Sequence, residues 1–428
     1  MLNSNFNFKF EKKISNIIKN INSKDKIYKV LEYFDEKDIF NQINNFSKQP
    51  NNSLENITFG IKDVYNTEFG HTKRGSVIYE NYKSGNNARV VDEIILNKGL
   101  IIGKTKTAEF SIDEPPETIN FFGKEYNAGT SSTGSAVGCR LGFFDIGLGT
   151  QTAGSTFRPA SYNGIFGFKP SFGVFPRTGL LKTTDTLDHV TLLGLSIKKI
   201  KKTFEVLRVK GKNYPLIDKN LENRSFKSSN ILFLKGYLWE KFDEYTRMKI
   251  EQFINTLKNE FNFQVNELIL KEKYSKIHQS HSKIYDKSLS YYFDYEYNNY
   301  KNKISNSTLQ KIENGKKVSK DEFQENIELQ VDLVSDYSNN IKENIVISAC
   351  TFGEAPFANE SEKNDMCLFY SYLHLPSISI PLFIGPNNLP ISIIISSTKY
   401  NDYLLFDFIE KLQELKIVND ILTKDNNQ

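Results

Sequence analysis

The sequence predicts an α/β fold in a single domain, a sheet covered by helices on both faces. Three observations carry that expectation. Short apolar strand candidates alternate with helical segments along most of the chain, and a stretch crowded with Gly, Ser and Thr between residues 128 and 171 lies inside that alternation. The length of 428 residues suits one α/β domain with insertions.

Residues 1–50 read as a polar, helical N-terminal arm, with Ile14, Ile17, Ile18 and Ile21 at helical intervals. The remainder, 51–428, reads as the domain proper. Its first strand is ITFGIKD from Ile57, followed by a helix over Ala88 to Asn97 that Gly99 stops, and by the strand LIIGKT from Leu100. A helix over Ser135 to Leu141, a strand over Phe144 to Gly149 and GIFGF from Gly164 continue the pattern, which predicts a largely parallel sheet. Residues 199–342 turn charged, aromatic and helical, with helices expected near 242–260, 274–300 and 320–340 and one strand, ILFLK, from Ile231. This segment is expected to wrap the sheet on its substrate side. The strands ENIVISA, PSISIPLF and LPISIIIS and a closing helix over Asp402 to Leu415 then return the chain to the same sheet.

Composition removes several classes of function. The net charge of +4 is spread thinly, with no basic stripe interleaved with aromatics, so no nucleic-acid partner is expected. No apolar run reaches membrane-spanning length, and Met1 to Asn20 lacks the apolar core of a secretory signal; the expected location is the cytoplasm, with no membrane span. Cys139, Cys350 and Cys367 are odd in number and have no metal-ligand spacing, so they read as buried thiols. Neither a cofactor nor a metal is predicted.

Several motifs fail on inspection. GLIIGKT from Gly99 is one residue short of a phosphate loop and reads as a strand end. Ser196 and Lys199 form an S-x-x-K that a Lys-rich chain produces by chance, and G-x-S-x-G is absent. Of the five histidines, His71, His189, His278, His281 and His374, none stands beside a strong nucleophile candidate; His278 and His281 read as a solvated pair on a polar helix. The tyrosines from Tyr285 to Tyr300 read as packing residues ahead of pocket lining. A serine nucleophile would then need a base other than histidine, and lysine is the known substitute.

The Gly/Ser stretch is similar to the signature of a known family. G-T-S-S-T-G-S-A from Gly129, G-T-Q-T-A-G-S-T-F-R-P-A from Gly149 and N-G-I-F-G-F-K-P from Asn163 resemble the three blocks of the amidase signature family, the Ser-cisSer-Lys amidohydrolases. The two motif serines, 131 and 155, are 24 residues apart, as in the family. FGIKDVYNT around Lys62, GKTKTAEFS from Gly103, the run from Ser171 and LHLPSISIPLF extend the resemblance over roughly residues 50 to 415.

The resemblance implies a mixed, twisted sheet between helices and an amidohydrolase working through a serine acyl-enzyme. It assigns Ser155 as nucleophile, Ser131 as the bridging serine after a cis peptide bond at Thr130–Ser131, and Lys62 as base. Lys62 can accept a proton only when neutral, a state that burial favours. The backbone N–H groups of Thr152, Ala153, Gly154 and Ser155 would form the oxyanion hole, with Ser132, Gln151 and Arg158 in support. Thr130 stands where the family usually has glycine, Gln151 where it has aspartate, and Arg158 one place later than its arginine. These departures favour a stand-alone amidase acting on a small-molecule amide over an amidotransferase subunit that delivers ammonia to a partner. A silent binding protein on the same scaffold is the third reading, and a homodimer is left open.

Overall fold

The computed structural model describes residues 4–210, 226, 231–360 and 365–419. Two stretches of the expected wrapping segment, 211–225 and 227–230, lie outside the described residues. Eleven described strands form one sheet, in the order β1 (Leu31–Phe34), β3 (Leu100–Thr105), β2 (Thr58–Lys62), β4 (Ile146–Gln151), β6 (His189–Gly194), β5 (Phe166–Lys169), β10 (Ser377–Ile384), β11 (Pro390–Ser396), β9 (Ile345–Ala349), β7 (Ile231–Leu234) and β8 (Val265–Leu268).

Thirteen helices accompany them among the described residues. Before the first half of the sheet is complete come α1 (Ser4–Tyr28), α2 (Glu36–Asn44), α3 (Arg89–Leu96), α4 (Thr133–Arg140) and α5 (Phe157–Tyr162). Then follow α6 (Ile197–Leu207), α7 (Glu244–Asn259), α8 (Ile277–Tyr292), α9 (Asp294–Tyr300), α10 (Asn306–Lys317), α11 (Lys320–Ile341), α12 (Cys367–Tyr372) and α13 (Asp402–Glu414). The architecture is a single mixed α/β domain. None of these helices is long and apolar enough to cross a membrane.

The sheet is not largely parallel. Parallel pairing is confined to β3–β2–β4 towards one end and β9–β7–β8 at the other, and every pair between them is antiparallel. The reason is β6, whose sequence HVTLLG carries no clear strand signal: it runs antiparallel to both β4 and β5 and reverses the sense of the centre. A hairpin closed by Gly385 N–H donating to the Leu389 carbonyl (2.8 Å) makes the β10–β11 pair antiparallel as well. The short strands β1 and β8 and the helix α10 are likewise unmarked by periodicity.

Alternation along the strands separates two cores. Leu100 and Ile102 pack with Ile14, Ile17 and Ala136 of α1 and α4, whereas Ile101 packs with Val90 and Ile94 of α3. Close approach of α4 to the sheet is what the small residues permit. A Cβ on Gly60 of β2 or on Gly138 of α4 would run into the ring of Phe144, and one on Gly147 of β4 would meet the Ser135 carbonyl at 2.7 Å. The N-terminus of α4 is thereby laid across the ends of β2 and β4, where the signature residues gather.

Two charges, one half-buried and one buried, tie the layers together. Asp145 accepts from Thr58 N–H (3.0 Å) and pairs with Lys13 of α1 and Lys199 of α6. The S-x-x-K lysine is thus a structural cation. Lys104 of β3, fully buried, pairs with Asp63 at 2.7 Å and donates to Thr72 Oγ1 (2.6 Å) and the His71 carbonyl (2.9 Å), so the phosphate-loop-like run ends in an internal ion pair. Lys104→Met should leave Asp63 buried without its cation and cost about 3–5 kcal/mol in urea unfolding, and adding Asp63→Leu should recover much of that loss.

Candidate active site

Lys62 is the last residue of β2 and is fully buried. Its Nζ lies 2.7 Å from Ser131 Oγ, 2.7 Å from Thr150 Oγ1 and 3.1 Å from Ser132 Oγ. No carboxylate pairs with it among the described residues, in contrast to Lys104 one strand away. Burial accordingly holds its pKa well below the ordinary lysine value, and the charge of Asp188 opposes that shift without cancelling it.

The three hydroxyls come from two places. Thr150 is on β4, which pairs in parallel with β2, and Ser131 and Ser132 lead into α4. The Thr130–Ser131 peptide bond is cis. Ser132 Oγ donates to the Thr150 carbonyl and accepts from Thr150 N–H, each at 3.2 Å, while Ser132 N–H donates to the Ser155 carbonyl at 3.3 Å. Ser155 sits in the turn between β4 and α5 and lines a cavity of about 400 Å³. Its hydroxyl makes no hydrogen bond to another described residue, so Lys62 and Ser131 are joined directly and Ser155 stands beside the cavity with its Oγ uncommitted.

The loop from Thr152 to Ser155 is anchored through its carbonyls. His281 Nε2–H donates to the Thr152 carbonyl at 3.0 Å, Ser371 Oγ to Ala153 at 2.9 Å, Arg158 N–H to Gly154 at 3.0 Å, and Ser132 N–H to Ser155. Thr152 Oγ1 donates to Asp188 at 2.7 Å. The N–H groups of Ala153, Gly154 and Ser155 donate to no other described residue.

Gln151 and Arg158 hold this loop from behind. The Gln151 carbonyl oxygen accepts from Thr156 N–H (2.9 Å) and Phe157 N–H (3.1 Å), and its amide donates to Ser371 Oγ (3.0 Å) and the Cys367 carbonyl (3.5 Å). A carboxylate here would lack those two donors, so the amide fits its surroundings. Arg158 is committed to Asp365, Nε to Oδ2 at 2.8 Å and a second contact at 3.3 Å.

His278 and His281 are not a solvated pair. α8 turns both toward the site: His281 is 4% exposed, and burial pushes its pKa down to about 3. His278 donates through Nε2 to the Asp365 carbonyl at 3.1 Å. Of the tyrosines, Tyr285 lines the cavity while Tyr291 and Tyr295 are exposed. Sequence reasoning also passes over Thr150, Asp188, Asp365 and Ser371. Asp188 has a visible signal in the hydroxyl-rich run TTDTLDH: it accepts from Thr183 N–H, Thr184 N–H and three threonine hydroxyls. Ser371 has none. All three cysteines are free and buried, as expected. Among the described residues no group of three His, Cys, Asp or Glu side chains could hold a metal ion.

The family model for amidases matches residues 12–406. The chain belongs to the amidase family. It is 35% identical over 182 residues to the A-type subunit of the mitochondrial glutamyl-tRNA(Gln) amidotransferase of Candida albicans, a match spanning about 40% of each protein. It is 32% identical over 177 residues to the corresponding subunit of Sulfurisphaera tokodaii, covering 39% of this chain and 37% of that one. Among solved structures, a 6-aminohexanoate cyclic dimer hydrolase superposes with a TM-score of 0.82 at 15% identity, covering 94% of this amidase-family chain and 92% of its own. The A-type subunit of the Thermotoga maritima glutamyl-tRNA(Gln) amidotransferase superposes at 0.79 with 19% identity, covering 95% and 91%. At these identities the superpositions establish the shared fold.

Asp188→Ala should strand the buried N–H groups of Thr183 and Thr184, each worth about 1–3 kcal/mol. Asp188→Asn should retain most of the stability, because its carbonyl can still take both amides while its NH2 donates to the hydroxyls. Urea unfolding of the two variants, with amide exchange at Ala153 to Ser155, checks this.

Proposed function

We propose that this amidase-family protein hydrolyses a small-molecule carboxylic amide through an acyl-enzyme on Ser155. The observation that carries the proposal is the buried Lys62 Nζ, without a counter-ion, 2.7 Å from the Ser131 hydroxyl. A neutral lysine in that position can take a proton from Ser131, which in turn takes one from Ser155 as Ser155 Oγ attacks the amide carbonyl. The negative charge that develops on the carbonyl oxygen meets the backbone N–H groups of Thr152, Ala153, Gly154 and Ser155, and the three unpaired donors of the loop support that role. The same relay run backwards protonates the leaving nitrogen. Water then cleaves the acyl-enzyme by a second pass of protons. Ser132, Gln151 and Arg158 act by holding the lysine and the loop. Three free buried thiols suit the reducing cytoplasm, where we place the protein.

The second reading is an amidotransferase A-type subunit that passes ammonia to a partner. It is favoured by the names of the sequence relatives. It predicts co-purification with a second protein and weak amide hydrolysis alone. A silent binding protein is the least supported reading, because it has no use for a counter-ion-free lysine beside a serine.

Incubation with a fluorophosphonate probe and mass mapping should find one adduct, on Ser155. Absence of the adduct, or its location on another serine, overturns the mechanism. Lys62→Ala should slow labelling at neutral pH by at least about 10²-fold. The pH profile follows from the direction of the Lys62 shift: the reactive form is deprotonated, so labelling should rise with pH and level off well below the ordinary lysine pKa. In Lys62→Ala that limb should vanish.

A further inference from the structure

The run from Gly129 to Ser132 is pinned at both ends. A Cβ on Gly129 would meet the Pro159 nitrogen at 2.6 Å, so no side chain fits there, and the Gly129 N–H donates to Asn127 Oδ1 at 2.7 Å. At the other end Ser131 Oγ meets Lys62 Nζ, and Ser132 N–H donates to the Ser155 carbonyl at 3.3 Å. Thr130, between them, therefore lies alongside the turn that carries Ser155 into α5. It lines the cavity with Asn127, Thr152 and Ser155, and it is 8% exposed. Its hydroxyl neither bonds to another described residue nor is sealed from solvent, so the side chain is turned to the cavity rather than into the packing.

Ser131 fixes which part of a substrate Thr130 meets. Under the acyl-transfer reading of Ser155, on which this inference rests, the proton that Ser155 gives up reaches the leaving nitrogen through Ser131 Oγ. That nitrogen must then come within hydrogen-bond distance of Ser131, about 3 Å. Thr130 is the cavity-lining residue next to Ser131 in the chain, so a substituent on the nitrogen competes with the Thr130 side chain for space. A β-branched side chain is stiff at χ1 and cannot swing aside, and the pinned backbone cannot retreat. Glycine, which the family pattern usually has here, would leave that space open. We propose that Thr130 closes the wall beside the leaving nitrogen and restricts the site to primary amides, with ammonia as the leaving group.

The test measures kcat/KM by butyrate release from butyramide and N-methylbutyramide in wild type, Thr130→Gly, Thr130→Ala and Thr130→Val. The informative quantity is the ratio of the N-methyl amide to the primary amide, because both substrates meet the same protein and partial loss of folded material cancels. Wild type should favour butyramide. Gly should raise the ratio by about 10-fold or more, the worth of one methyl group admitted to a closed pocket. Ala should raise it less and guards against a Gly variant that fails to fold. Val keeps the shape of threonine without the hydroxyl, so it should leave the ratio near wild type. Wild type cleaving both amides alike, or an unchanged ratio in Gly and Ala variants that still label at Ser155, overturns the proposal. A rise in Val equal to that in Gly also overturns it, since the hydroxyl and not the bulk would then be selecting. Failure of wild type to label at Ser155 would instead remove the acyl-transfer reading, and this inference with it.

Discussion

Lys62 ends a strand whose residues are all buried, and each of the three groups around its Nζ is a hydroxyl. That arrangement is costly for an ammonium ion, since a hydroxyl offers a lone pair but no charge. Lys104, one strand away and as deeply buried, shows the alternative: it keeps Asp63 at 2.7 Å. Two lysines on adjacent strands therefore serve opposite ends. One is paired and structural, and the other is denied a counter-ion and so held toward neutrality. The rest of the site maintains that denial: β4 supplies Thr150, the lead into α4 supplies two serines, and Gly60 and Gly138 leave room for the ring of Phe144 between β2 and α4.

The loop after β4 follows from a similar accounting of backbone groups. A peptide whose carbonyl is engaged on one side presents its N–H on the other, so fixing four successive carbonyls orients the N–H groups between them. The anchors arrive from His281 on α8, Ser371 on α12, Arg158 on α5 and Ser132 before α4. Arg158 and Ser132 belong to the same stretch as the loop, whereas His281 and Ser371 lie 129 and 218 residues from the carbonyls they hold and are there only because the chain after residue 199 folds back over the sheet. The loop's geometry is a tertiary product even though its residues are contiguous.

The same distinction decides what is legible in the sequence. Apolar runs bounded by glycine or proline mark β2, β3, β4, β10 and β11, because strands buried on both faces are continuous in hydrophobicity. HVTLLG follows a polar, Thr-rich loop and begins with histidine, so β6 carries no such mark, and the antiparallel centre it creates is hidden with it. Within the site, residues that share the glycine-rich stretch are legible because that composition is itself unusual. Thr150 lies inside the same stretch yet does not stand out, because a threonine in a strand is ordinary. His281 and Ser371 leave no trace, since each acts by reaching a main-chain carbonyl, and a carbonyl has no sequence. The helix bearing His281 has the polar composition of a solvent-facing one, whereas its histidines turn inward to the cavity.

Charge joins two of the departures from the family pattern, those at positions 151 and 158, to the rest of the site. Gln151 brings no charge to the base of the loop, His281 is neutral, and Arg158 is cancelled by Asp365. Asp188 is the carboxylate whose charge reaches Lys62, and five donated hydrogen bonds spread that charge. Beside Ser155 the N–H groups of Ala153, Gly154 and Ser155 donate to no other described residue and add oriented dipoles to the field there. Such dipoles need no reorganisation when a negative oxygen forms, and they act at full strength where water is excluded. Under the proposed acyl transfer, an aspartate at position 151 would add a charge that opposes the oxyanion and favours the lysine's protonated state. Glutamine keeps the hydrogen bonds to Thr156 and Phe157 without either effect, so the substitution tunes the loop in the same direction as the burial of Lys62.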